Sequence, residues 1–176
     1  SPGWAIAIDA ASDGIDAATL AAMHAVPPQR SGATSILSVH LSEAMSGTVE
    51  AARFAAREVG GDIRVVDSRS VGMGFGFAVL RAAALAADGA DADEVARCVE
   101  TTLEATSATF YLDTVEYLRR GGRIGPAQAM IGSALSVKPL LVLRDGRISP
   151  LERVRTSTRA IERLVELTVA AAGSEP

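Results

Sequence analysis

The fold is decided by the stretch Ser35-Ile-Leu-Ser-Val-His-Leu-Ser-Glu-Ala-Met-Ser-Gly-Thr-Val-Glu50. It begins as a short apolar strand, passes through a turn of hydroxyl-bearing and small residues, and continues into a helix. In an open α/β sheet, ligands bind where the carboxyl end of a strand meets the amino end of a helix. The N–H groups and the dipole of that helix end attract anions. With the hydroxyls of Ser42, Ser46 and Thr48 nearby, the sequence predicts a small site for a carboxylate or a phosphate.

Strands and helices alternate on both sides of this stretch. The apolar runs predict strands at Trp4–Ile8, Ser35–Leu41, Ile63–Val66 and Ala108–Leu112. Helical spacing predicts helices at Asp16–Ala25, about Val49–Val59, Met73–Ala87, and from a cap at Asp91 to about Ala105. The Met73–Ala87 helix is apolar enough for us to expect it to be buried on most sides. This alternation indicates a mainly parallel sheet flanked by helices.

The pattern changes near Thr114, where a short helix is followed by a glycine-rich basic loop. The pair Asp145-Gly146 between two apolar runs is typical of a β-hairpin. A last helix is predicted from about Thr156 to Ala172, with an apolar stripe that includes Ile161 and Val165. We therefore expect an α/β fold with a main domain over residues 1–113 and a smaller α+β subdomain over residues 114–176.

Composition limits the classes of function. The chain has 176 residues, 48% of them hydrophobic, a net charge of −4 and a pI near 5.2, which indicates a folded globular protein and argues against nucleic-acid binding. One cysteine excludes an internal disulfide, and the spacing of histidines and cysteines gives no metal motif. Apolar runs are shorter than the roughly 20 residues of a membrane span. We expect a cytoplasmic protein that uses neither metal nor cofactor and does not insert into membranes.

Four spaced motifs carry a resemblance to a known family. They are Ser42-Glu-Ala-Met-Ser-Gly-Thr48, Val65-Val-Asp-Ser68, Val71-Gly-Met-Gly-Phe-Gly76 and Asp113-Thr-Val-Glu-Tyr-Leu-Arg-Arg-Gly-Gly-Arg-Ile-Gly125, the last being the most specific. Together with shorter matches they cover roughly residues 32–165. In this order they resemble the DegV family of bacterial fatty-acid-binding proteins.

The resemblance implies a carrier and not an enzyme. Such a carrier binds a long-chain fatty acid such as palmitate non-covalently and presents it to a fatty-acid kinase, which forms the acyl phosphate. By resemblance, Ser42 is the first donor to the ligand carboxylate. The other residues implied in ligand binding are Ser46, Gly47, Thr48 and Arg120, and those implied in partner binding are Arg119 and Arg123. The apolar tail would contact the Met73–Leu85 helix together with Met130, Ile131, Leu135 and Leu140.

The chain departs from the family pattern at three places. Glu43 stands where the family has the second serine of a pair, so an additional carboxylate lies beside the predicted anion site. Pro28 is followed almost at once by Arg30-Ser-Gly-Ala-Thr34, where family members have a longer loop whose threonine helps to hold the carboxyl group. Family members also continue past the final helix to a histidine near the head group, whereas this sequence stops at Pro176.

Alternative functions remain open at this stage. A serine esterase acting on acyl esters could use Ser42 or Ser46 with His40 as base, although the sequence has no Gly-x-Ser-x-Gly elbow. The chain could also be an incomplete family member that does not bind lipid. At the level of single residues, Ser46 or Thr48 could simply cap a helix, and the arginines could form a solvated basic loop.

Overall fold

The computed structural model describes residues 4–9, 21, 34–130 and 137–173. It divides the chain into two units between Thr106 and Ser107. The predicted helix at Asp16–Ala25 lies outside the described residues, apart from Ala21, which is helical.

The first unit is built on three parallel strands in the order β1 (Trp4–Asp9), β2 (Ser35–His40) and β3 (Asp62–Asp67). The register aligns Asp9, His40 and Asp67, so all three strands end at the same edge of the sheet. Residues 36–40 of the central strand are buried without alternation. This pattern is typical of a parallel strand that is covered on both faces. The segments that follow β2 and β3 therefore leave the sheet at the same edge.

Within residues 34–106, three helices accompany this sheet. They are α1 (Thr48–Val59), α2 (Met73–Ala87) and α3 (Ala92–Glu104). The helices α2 and α3 pack together, and their buried residues form one core with Leu37 and Val39 of β2. The predicted start of α3 is confirmed, because Asp91 accepts hydrogen bonds from two backbone N–H groups of the first turn while Glu94 accepts one from the Asp91 N–H.

The expectation that α2 is buried on most sides was wrong. Phe75, Ala78, Val79, Ala82 and Ala86 face the core. On the opposite side, the exposed fractions of Met73, Phe77 and Leu80 are 54%, 55% and 60%. When a helix is apolar on all sides, its sequence does not show which side faces the core. The elements that pack against it determine which side is covered. The exposed side forms an apolar stripe, Met73–Phe77–Leu80, at helical spacing.

The second unit is an antiparallel sheet with the strand order β4 (Thr109–Tyr111), β5 (Lys138–Arg144) and β6 (Arg147–Val154). The predicted hairpin is confirmed: Asp145 and Gly146 both have positive φ, as a tight two-residue turn between β5 and β6 requires. The remaining elements are α4 (Glu116–Arg120), a 3₁₀ helix (Gly125–Met130) and α5 (Ser157–Ala172).

Two expectations about this unit are corrected. The sequence predicts the strand near residues 108–112 in the first domain, but β4 pairs antiparallel with β5 in the second sheet. A three-residue strand is determined by its partner, which its own sequence does not specify. In α5, Ala160 is the buried residue, whereas the exposed fractions of Ile161 and Val165 are 57% and 58%. The predicted apolar stripe is therefore not the covered side of α5 at Ile161 and Val165.

Candidate functional site

The Ser42 turn, Ser42–Thr48, lies directly after β2 at the carboxyl edge of the parallel sheet. Ser42 is fully buried and is held through its backbone: its N–H donates to the Ser70 carbonyl at 2.9 Å, and its own carbonyl accepts from Met45 and Ser46 at 3.0 and 3.1 Å. Its Oγ accepts a bond from the Ala44 N–H at 3.3 Å. Serine favours this local turn, because its hydroxyl can replace a backbone acceptor two residues on. The predicted head-group serine thus has a fixed position.

A second turn, Asp67–Ser70, follows β3 and is bonded to the first. Besides the Ser42–Ser70 bond, the Ser68 N–H donates to the His40 carbonyl at 3.0 Å and the Glu43 N–H donates to Asp67 Oδ1 at 3.1 Å. Ser68 and Ser70 are themselves buried. This turn lies outside the residues predicted for the site from the sequence. The available signal was a run of polar residues directly after a strand parallel to β2.

Gly47 occupies the capping position of α1, and the Ser46 hydroxyl accepts the N–H of Thr48, the first residue of the helix. The hydroxyls of Ser46 and Thr48 are 2.7 Å apart and bond to each other, and Ser46 Oγ lies 3.4 Å from the Thr48 N–H. The predicted residues Ser42, Ser46, Gly47 and Thr48 are therefore brought together at the amino end of a twelve-residue helix. This arrangement suits a small anion.

Glu43 is paired with a cation of α1. Its carboxylate forms an ion pair with Arg53 of α1 at 2.8 Å, with about half of each side chain exposed. The additional carboxylate at this position is therefore matched by a cation on the surface of the same helix.

His40 is engaged inside the sheet. Its Nε2 lies 2.8 Å from Ser38 Oγ, and both residues are buried, with exposed fractions of 1% and 0%. An esterase base must reach a nucleophile that the substrate can also reach. A buried pair within a central strand does not offer that access.

The predicted partner residues lie in the second unit. Arg119 donates to both carboxylate oxygens of Glu116 at 2.8 and 2.7 Å, and Arg120 Nε donates to the same carboxylate at 2.8 Å. These bonds, that from Arg119 first, lower the pKa of Glu116 to about 2. Arg123 donates to the Gly121 carbonyl at 2.7 Å. Two cations, Arg119 and Arg120, thus share one carboxylate on the surface, and Arg123 is bonded to the backbone nearby.

Asp113 anchors the segment that leads to these arginines. Its carboxylate accepts hydrogen bonds from the hydroxyls of Tyr111 and Ser157 and from Lys138 Nζ. The pKa of Asp113 is lowered, first by the Tyr111 hydrogen bond and then by Lys138. The end of β4, the start of β5 and the start of α5 are therefore joined at one polar cluster.

Other kinds of site find no support in the described part of the chain. Among residues 34–130 and 137–173, no group of three His, Cys, Asp or Glu side chains is arranged to hold a metal ion. None of the helices described here has both the length and the apolar character that crossing a bilayer requires.

The fold and the turn define an α/β protein with a candidate anion site at the carboxyl edge of its parallel sheet. The chain belongs to the DegV family: the family model described as "Uncharacterised protein, DegV family" matches residues 17–176. A DegV domain-containing protein of Streptomyces coelicolor is 53% identical over 146 residues, which cover 83% of this chain and 52% of that protein. The resemblance inferred from the four motifs is thereby confirmed.

Solved structures show the same fold. A structure described as fatty acid binding of a DegV family protein from Thermus thermophilus has a TM-score of 0.83 and 34% identity, covering 90% of this chain and 56% of that one. DegV of Bacillus subtilis, described as a fatty acid binding protein, has a TM-score of 0.74 and 33% identity, covering 86% and 54%. The predicted α/β class is confirmed. The chain spans about half the length of the curated relatives it matches.

Proposed function

We propose that this chain binds a long-chain fatty acid non-covalently, with the carboxylate at the Ser42 turn. The observation that carries the proposal is a hydroxyl-rich turn at the carboxyl edge of a parallel sheet, with the backbone of Ser42 fixed by hydrogen bonds, that leads into the amino end of a twelve-residue helix. The helix end and neutral hydroxyls stabilise an anion without a formal positive charge, so release stays possible. Relatives at 34% and 33% identity whose structures are described as fatty acid binding support this choice of ligand.

In this proposal the acyl chain lies along the stripe Met73–Phe77–Leu80 on α2. The helix begins three residues after Ser70, whose carbonyl holds the Ser42 N–H, so the stripe starts near the head-group turn. From Met73 to the exposed Ala84 the helix rises by about 16 Å. An acyl chain that spans half of a bilayer core extends over about 15 Å. The exposed stripe therefore has the length that a long acyl chain needs.

The tail supplies most of the binding free energy in this proposal. Each buried methylene contributes about 0.8 kcal/mol. A head-group hydrogen bond to a charged acceptor contributes about 1.5–3 kcal/mol. The Ser42 turn then mainly determines the orientation of the ligand.

Presentation to a fatty-acid kinase is the finer part of the proposal. The segment carries a net positive charge, because the single carboxylate of Glu116 does not balance Arg119, Arg120 and Arg123. The planar guanidinium group of arginine is suited to binding phosphate. In this role Arg120 contacts the phosphorylated product, and Arg119 and Arg123 contact the partner. The variant Arg120→Ala should retain lipid but support slower formation of acyl phosphate by a fatty-acid kinase. Loss of lipid from this variant would contradict the role of Arg120 toward the phosphorylated product.

Lipid extraction from the purified chain, followed by mass spectrometry, tests the ligand. We expect free long-chain fatty acid in the wild type and about tenfold weaker retention in Ser42→Ala, since one charge-assisted hydrogen bond is lost. Ser35→Ala, at the amino end of the same strand, is the matched control and should retain lipid. A lipid-free wild type that hydrolyses p-nitrophenyl esters, with the rate abolished in Ser42→Ala, would establish the esterase instead.

A further inference from the structure

We propose that Asp67 is the residue that positions the Ser42 turn for the ligand carboxylate, an inference that rests on the function proposed above. Asp67 is the last residue of β3 and is paired in register with His40, the last residue of β2. It therefore stands beside the point at which the Ser42 turn leaves the sheet.

One oxygen of Asp67 holds both turns. Oδ1 accepts the Arg69 N–H at 2.9 Å, within its own turn, and the Glu43 N–H at 3.1 Å, in the neighbouring turn. Arg69 has a φ of +50°, a left-handed conformation that a non-glycine residue adopts at a cost and that the Asp67 bond supports. The conformation of Arg69 determines the position of the next residue, Ser70. The carbonyl of Ser70 accepts the Ser42 N–H.

Asp67 thus restricts the position of Ser42 in two ways. It accepts the N–H of the adjacent Glu43, and it stabilises the turn that carries the Ser70 carbonyl. Asp67 does not touch the ligand in this arrangement. It restricts the backbone on both sides of the Ser42 hydroxyl, and a donor that is held in place before binding loses less entropy when the ligand arrives.

The role depends on geometry and not on charge. A carboxylate near a bound carboxylate repels it, so the negative charge of Asp67 does not favour the ligand. Asparagine keeps an acceptor oxygen of the same shape and removes the charge. Asp67→Asn should therefore preserve binding, whereas Asp67→Ala should weaken it.

The experiment compares the full 176-residue chain with Asp67→Ala, Asp67→Asn and, as matched control, Asp62→Ala. Asp62 is exposed at the opposite end of the same strand and bonds only weakly to Arg64, at 3.4 Å. Binding is measured by displacement of cis-parinaric acid with palmitate. We expect binding about five- to tenfold weaker for Asp67→Ala, as for the loss of one hydrogen bond, and values within about twofold of wild type for the other two variants.

Amide hydrogen exchange of Glu43 in the ligand-free chain gives an independent readout. Exchange should be at least about tenfold faster in Asp67→Ala and unchanged in Asp67→Asn and Asp62→Ala. Equal palmitate affinity in Asp67→Ala and wild type overturns the inference, and so does an Asp67→Asn variant as weak as Asp67→Ala. If the wild type binds no fatty acid, the proposed function fails, and the Glu43 exchange rates alone then decide whether Asp67 positions the turn.

Discussion

Phe77 offers the sharpest test of where the acyl chain lies. It is at the centre of the exposed stripe on α2, and 55% of its surface is accessible. If the tail covers this stripe, Phe77→Ala removes apolar contact with the ligand but leaves the protein core intact. The affinity for palmitate should then fall while the midpoint of thermal unfolding changes little.

The magnitude follows from the exposed area. A phenylalanine side chain presents about 150–250 Å², so about 100 Å² of Phe77 is available to a ligand. At about 25 cal/mol per Å² this area is worth up to about 2.5 kcal/mol if it is fully covered. An acyl chain lies along one side of the ring and covers about half of that area. We therefore expect a loss of about 1 kcal/mol, or about fivefold in Kd.

Phe54→Ala is the matched control. Phe54 is the same residue type with a similar exposed fraction, 50%, but it lies on α1 beside Arg57 and outside the stripe. Titration of both variants with palmitate by isothermal calorimetry should show a weaker affinity only for Phe77→Ala. Equal affinities for Phe77→Ala and wild type would refute the assignment of this stripe to the tail, and equal losses in both variants would show that the effect is not specific to α2.

Three further predictions concern stability and ionisation. Asp91→Ala removes the side-chain acceptor of the capping box of α3, which takes the N–H groups of Asp93 and Glu94, and should lower the free energy of unfolding by about 1 kcal/mol in urea denaturation; an unchanged transition midpoint would contradict the capping role. Leu140→Ala leaves a cavity at a residue with 0% exposure and should cost about 2–5 kcal/mol in the same assay, whereas a loss below about 1 kcal/mol would show that Leu140 does not belong to a closed core. Glu116 has a pKa of about 2, below its ordinary 4.5, so its contacts with the arginines stabilise the fold above pH 4.5 and are lost only as the pH falls through about 2. Carboxyl ¹³C NMR should give that titration midpoint, and a midpoint near 4.5 would mean that the arginine contacts do not persist in solution.

The parallel half of the fold could be read from the sequence because its signals are local. The apolar run at Ser35–His40, the glycines after Val59 and the capping box at Asp91 each specify a beginning or an end with nearby residues. The same holds for the Asp145-Gly146 hairpin. The sequence did not predict which elements pack together. The pairing of β4 and the covered sides of α2 and α5 depend on contacts between elements that are distant in the chain.

The candidate site was only partly accessible to sequence reasoning. The hydroxyl-rich turn after β2 was visible as a motif, and the structure places its four predicted residues together. The contribution of Asp67 and Ser70 could not be derived, because it depends on the register that brings the ends of β2 and β3 side by side. The pairing of Glu43 with Arg53, ten residues on, depends likewise on the turn placing the strand end beside the first turns of α1.

Backbone NMR of the chain titrated with palmitate tests the central claim most directly. If the carboxylate binds at the turn after β2, the amides of Ser42–Thr48 should show the largest shift changes, followed by those of Met73–Leu80. Saturating palmitate that leaves the Ser42–Thr48 amides unshifted, or that shifts only residues of the second unit, would contradict the account.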